Sequence, residues 1–277
     1  MTKITMPVLV NRHWKHVQSK PPTLTYHQAK LNRKLLIAIE KKQVVRVKRL
    51  LKRGADVHYT DYRGETAIHL AAPHCSTDMI EVLLHAGAKI NGEDSNGRTP
   101  IHSAALFGSN VETLIQAGAD INHKANSGTT PLHVASTVDS VKTLLRAGAD
   151  VHSRDRWGKT PLHMVWSAEV ADALLSAGAD VNSRDCENLT PLHCVHQSSK
   201  SYELAELLVN AGADLNARAD REAMTPLSWI QANPPRQICS YSLFRTGPSR
   251  SREAAFSRHK AKHAKLIAFL QQCTGTG

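Results

Sequence analysis

Apolar positions in this chain fall in short helical bursts, each closed by a glycine. In Ser140-Val141-Lys142-Thr143-Leu144-Leu145-Arg146 the apolar residues stand at i, i+3 and i+4, one face of a helix. Ala147-Gly148-Ala149-Asp150 follows, with Gly placed as a left-handed C-cap. The same stop recurs at Gly54, Gly87, Gly118, Gly148, Gly178 and Gly212, at spacings of 33, 31, 30, 30 and 34. A second signal is interlocked with it. Thr66-Ala67-Ile68-His69, Thr99-Pro100-Ile101-His102, Thr130-Pro131-Leu132-His133, Thr160-Pro161-Leu162-His163 and Thr190-Pro191-Leu192-His193 each open a unit, and Thr225-Pro226-Leu227-Ser228 is a degraded copy. Thr is placed to cap a helix, and Pro is tolerated in the first turn, where no N–H is lost. Small residues follow, as in Leu70-Ala71-Ala72 and Ser103-Ala104-Ala105, so that helices can approach closely. Each connector ends in a turn such as Asp155-Arg156-Trp157-Gly158.

Helix, turn, helix, glycine stop and hairpin-like finger at this period resembles the ankyrin repeat. The resemblance covers roughly residues 31 to 232, and extends to the final helix. It implies an all-α solenoid of stacked helix-turn-helix units with β-hairpin-like fingers, about seven units with the caps. It also implies that the tetrapeptide histidines are structural, bonding nearby Thr and backbone groups. Leu31 to Leu51 lacks the tetrapeptide. With Leu35, Leu36, Ile39, Val44, Val47, Leu50 and Leu51 apolar and a face dense in Lys and Arg, it is expected to be an N-terminal capping pair.

The units are not uniform. Thr and Gly stand 21 residues apart in the second unit, 19 in the third and 18 in the fourth and fifth. Either the inter-helix turn is tighter there or a helix is shorter by most of a turn. Trp166 and His196 occupy a position that is Ala in the fuller units, and Trp166 is expected to pack rather than project. Asn188 stands where other fingers carry Gly, which calls for a left-handed backbone.

The expected organisation is a flexible basic tail (1–23), a capping repeat (24–54), the repeats (55–232), a basic insertion loop (233–258), and a C-terminal capping helix and tail (259–277). Asn233-Pro234-Pro235 ends one helix, and Gly247 to Arg252 reads as loop. The net charge of +11 is unevenly spread: +12 over residues 1–60, −8 over 61–232 and +7 over 233–277. The high pI therefore does not describe the repeat surface. Lys41-Lys42, Arg46, Lys48-Arg49 and Lys52-Arg53 read first as a solvated cap face. Nucleic acid is the weaker reading, since no aromatic stacking residues accompany them.

No apolar stretch approaches the roughly 18 residues of a membrane span, and no secretory signal is legible. Five scattered cysteines form no C-x-x-C pair, which fits free thiols in a reducing compartment. His259 and His263 stand i, i+4, and His193-Cys194-Val195-His196 is compact, but two ligands do not make a metal site. No nucleophile motif or phosphate loop is present, so no cofactor and no catalysis are expected.

The informative surface is expected at the finger tips, where Tyr62, Arg63, Arg98, Arg156, Trp157, Lys159 and Arg184 recur at repeat spacing. Phe107 is expected on the inner helices. Ankyrin repeats usually bind through these tips and that face. The expectation is a monomeric, non-catalytic scaffold in the cytoplasm, with the nucleus as a further location, that binds a protein of acidic or mixed surface. Two alternatives stand behind it. One is an adaptor, or a host-directed effector of an intracellular microbe acting in host cytoplasm, whose basic ends recruit machinery or nucleic acid. The other is a cryptic enzyme.

Overall fold

The computed structural model describes residues 26–195, 201–220, 223–233 and 249–275, with the side chains of 249–260 excepted. Readings that concern the tail, residues 234–248, His196, Cys239 or the His259 ring lie outside them. The described chain forms seven successive helix pairs. The first is α1 (Tyr26–Glu40) with α2 (Val44–Lys52). The second is α3 (Ala67–Ala71) with α4 (Thr77–His85), and the third α5 (Pro100–Phe107) with α6 (Val111–Gln116). The fourth is α7 (Pro131–Val134) with α8 (Val138–Arg146). In the fifth, a single 3-10 turn, Pro161–Met164, precedes α9 (Ala168–Ser176). The sixth is α10 (Pro191–Cys194) with α11 (Ser201–Asn210), and the last α12 (Pro226–Ala232) with α13 (Ser249–Thr274).

First helices touch first helices of neighbouring units, and second helices largely touch second helices, giving two parallel rows. Between the rows runs one continuous apolar seam. Leu35, Leu36 and Ile39 begin it; Ile68, Met79, Ile80 and Leu83 continue it; Ile101 and Leu114, Leu132 and Leu144, Leu162 and Leu174, and Leu192 and Leu208 carry it onward. All of these side chains are almost wholly removed from water. A fully buried Leu or Ile contributes about 1.5–3 kcal/mol, so each unit depends on the neighbours that cover it.

The shortened units lose helix rather than tightening a turn. α5 has eight residues; in the two 18-residue units α7 and the 3-10 turn have four each. After α7 and after the 3-10 turn the backbone becomes extended, at Ala135 (ψ 120°) and Val165 (ψ 146°). A hydroxyl then caps the second helix: Thr137 Oγ1 accepts from Ser140 N–H, and Ser167 Oγ from Val170 N–H. This corrects the expectation for Trp166. That residue follows the shortened first helix and is 62% exposed.

At the far end, α13 begins at Ser249, so the last ten residues of the interval read as loop are helical. Leu266 and Leu270 are completely buried and Ile267 partly so, closing the last unit. Tyr202 on α11 is sandwiched there, with Phe269 at 5.1 Å and the Lys265 ammonium at 3.9 Å from its ring.

Candidate functional site

Four of the fingers are turns whose geometry is set by an aspartate. In the first tip Asp61 N–H donates to Glu65 O, while Asp61 Oδ1 accepts from Arg63 N–H (2.8 Å) and Glu65 N–H (2.9 Å). Asp94, Asp155 and Asp185 repeat this arrangement, each taking two backbone amides. In the third tip Ala125 replaces the Asp, and Ser127 and Thr129 hydroxyls bond each other at 2.8 Å. The fourth tip position needs a positive φ. Gly97 has +70°, and Asn188, at +56°, fills the position that Gly holds elsewhere, as its sequence position indicates.

One backbone hydrogen bond joins each tip to the next. Ser95 N–H donates to Arg63 O, Asn126 to Asn96 O, Arg156 to Ser127 O, Cys186 to Trp157 O and Asp220 to Glu187 O, all at 2.8–3.0 Å. The glycines matter here a second time. A Cβ on Gly97 would sit 2.8 Å from Asn126 N, and one on Gly128 2.8 Å from Arg156 N.

Behind the tips the tetrapeptide histidines form a second ladder. His69, His102, His133, His163 and His193 bond through Nε2 to the carbonyls of Arg98, Thr129, Lys159, Leu189 and Met224 in the following finger. Each Nδ1 accepts from the N–H and hydroxyl of its own Thr. The proton therefore resides on Nε2, and both ring nitrogens are occupied, as the structural reading requires. Burial lowers all five pKa values, that of His102 to about 4. Burial also pushes the neighbouring Cys194 thiol up to about 11. Among the described residues no group of three or more His, Cys, Asp or Glu is placed to hold a metal ion.

A third ladder was not read from the sequence. Asn91, Asn122 and Asn182 each accept from the N–H of the next unit's Gly-Ala-Asp aspartate (Asp120, Asp150, Asp214) and donate to its glycine carbonyl. Its signal was visible: Asn two residues after Ala-Asp or Ala-Lys, at the repeat period.

The candidate binding residues divide accordingly. Tyr62 (49% exposed) and Trp157 (58% exposed) project from their tips. The Arg63 guanidinium lies 5.2 Å from the centre of the Tyr62 ring. Arg98 and Arg156 are exposed and Lys159 half-buried. Arg184 is partly committed as a strut: one Nη donates to Arg218 O in the next finger. Arg154 makes the same kind of bond to Gly158 O and Arg184 O. Phe107 is not on a finger. It ends α5, exposed, with its ring edge-on to His74 at 4.7 Å. The ladder unites the tips; Phe107 ends an inner helix, and Trp166 lies in the extended link between the 3-10 turn and α9.

The profile for ankyrin repeats (three copies) matches residues 35–125, 91–155 and 132–219, which together cover more than half of the chain. The chain belongs to the ankyrin-repeat family. Two ankyrin repeat proteins of Rickettsia felis are each 38% identical to it over 53 residues. That stretch is 19% of this chain and 84% and 80% of theirs. Ankyrin repeats generally mediate protein–protein interaction and are typically non-catalytic. Among the described residues no helix is long and apolar enough to cross a membrane.

Proposed function

We propose that this ankyrin-repeat protein is a non-catalytic, monomeric recognition module that holds an acidic or mixed protein segment against its finger tips and inner helices. The observation that carries the reading is the pair of exposed rings, Tyr62 and Trp157, set among Arg63, Arg98, Arg156 and Lys159 on tips joined by backbone hydrogen bonds. Exposed aromatic and Arg side chains on a pre-ordered support lose little conformational freedom on binding, which is what interface anchors need. Many carboxylates of the acidic middle are turned onto backbone amides: Asp61, Asp94, Asp155 and Asp185 at the tips, and Asp120, Asp150, Asp180 and Asp214 behind them. Arg63, Arg98 and Arg156 are exposed beside them, so the tips favour a negative segment although the repeats as a whole are negative.

The test is selection of an acidic peptide display library on the intact protein, followed by affinity measurement with two variants. Arg156→Ala/Trp157→Ala removes a central anchor pair and should cost roughly 2 kcal/mol or more of binding. Lys142→Ala/Arg146→Ala alters exposed cations on α8 and should cost almost nothing. Equal affinity of the tip variant and the wild type would place the interface elsewhere.

A further inference from the structure

The first helix pair carries a hollow that the tip surface does not explain. It measures about 620 Å³ and is bordered by Lys34 of α1, Lys42 of the connecting turn, Arg46 and Arg49 of α2, and Arg53 at its C-cap. Arg46, Arg49 and Arg53 are three and four residues apart and share one helix face, while Val47 and Leu50 of α2 are buried. All five cations are exposed. No carboxylate borders the hollow, and among the described residues none of the five makes an ion pair. The only hydrogen bond from these five side chains to another side chain there is Arg46 Nη1 to Gln43 Oε1 at 3.2 Å.

Nearby sequence supplies little counter-charge, and the nearest acid, Glu40, does not line the hollow. Glu40 and Asp56 are the only acids in the first 60 residues, and Asp56 Oδ1 is taken by His58 N–H. Residues 1–25 add Lys3, Arg12, Lys15 and Lys20 with no Asp or Glu. Five like charges facing one space repel each other. A bound anion would relieve that repulsion.

We infer that the hollow of the capping pair binds a compact, multiply phosphorylated anion. Three guanidiniums favour phosphate, which they can grip in pairs of parallel N–H···O bonds. The volume lies within the range of small-ligand sites, roughly 300–1,000 Å³. A long nucleic acid fits less well, because no aromatic ring lines the hollow to stack a base. The same phosphate chemistry can come from a free polyphosphorylated ring or from a lipid headgroup.

The experiment uses the full chain at about 150 mM salt, where surface attraction is screened beyond about 8 Å. Calorimetry with inositol hexakisphosphate probes the free form. Co-sedimentation with phosphatidylcholine vesicles, with and without phosphatidylinositol bisphosphate, probes the lipid form. R46E/R49E/R53E removes the hollow's charge. K41E/K48E/K52E makes the same change in net charge on exposed residues that do not line it. R46Q/R49Q tests the site without reversing sign, and circular dichroism confirms that each variant is folded.

One-to-one binding, weakened on the order of tenfold or more by the hollow variants and little by the control, supports the site. Binding to the free anion alone assigns a soluble ligand. Vesicle binding displaced by the free anion assigns a headgroup. Equal weakening by both triple variants would reduce the effect to overall charge and overturn the inference. So would absence of binding to both probes, or binding of an RNA oligonucleotide that the anion fails to displace.

Discussion

The buried histidines should make this solenoid acid-labile, and His102 allows the magnitude to be worked. Its ring is 1% exposed. Nε2 donates to Thr129 O at 3.1 Å, and Nδ1 accepts from Thr99 N–H at 3.2 Å. A proton on Nδ1 would cancel that acceptor and place a charge where water cannot reach it. Burial accordingly lowers the pKa from 6.5 to about 4. Between those two values the unfolded chain holds a proton that the fold does not. The stabilisation is therefore complete above about pH 6.5 and is lost as the pH falls towards about 4. At about 1.4 kcal/mol per pKa unit the full loss is about 3 kcal/mol, of which about 2 kcal/mol is gone at about pH 5. His69, His133, His163 and His193 are shifted the same way by burial, so they steepen the fall. Urea unfolding followed by circular dichroism at about pH 7 and about pH 5 would read this, with unchanged slopes as the condition for comparison. His102→Gln should be less stable at both pH values, yet lose about 2 kcal/mol less than wild type between them. Equal losses in the two proteins would refute the reasoning.

Gly97→Ala should destabilise by about 1–3 kcal/mol, since the added Cβ meets Asn126 N at 2.8 Å on a backbone with φ +70°; an unchanged melting temperature would count against the tip ladder. Asn182→Ala removes both bonds to the following unit, to Asp214 N–H and Gly212 O, and should cost about 1–2 kcal/mol in denaturant unfolding. Truncation after Ala232 removes Leu266 and Leu270, bares the last apolar face and should promote aggregation detectable by light scattering.

The period, the helix pairs and the core face of the cap were legible because each is a local or periodic property. Leu35, Leu36 and Ile39 announce their burial by spacing, and Asn188 its positive φ by replacing Gly. Trp166 was misjudged because it follows a shortened first helix, and an aromatic ring alone does not show whether the backbone will bring it to the core. The strut role of Arg184, a candidate binding residue at its tip, was not legible because its partner, the Arg218 carbonyl, lies in the next unit, 34 residues on. The start of α13 was hidden by Gly247-Pro248 and a Ser/Arg run that lacks an apolar period; its helix extends outward from the anchored end at Leu266 and Leu270.

The likeness of the fourth and fifth units has a consequence for the lineage of this chain. Thr130 and Thr160 share almost the same backbone angles and the same imidazole partner three residues on, and those imidazoles, His133 and His163, each donate to a carbonyl in the following finger. Excision of 30 residues between them would create backbone junctions of a kind already in use. Only the side chains meeting across the new seam would be unfamiliar. Ancestors and descendants can thus differ by whole units while each intermediate still folds. The length of the finger ladder is then a quantity that duplication and loss can adjust in steps, leaving substitution to retune each step.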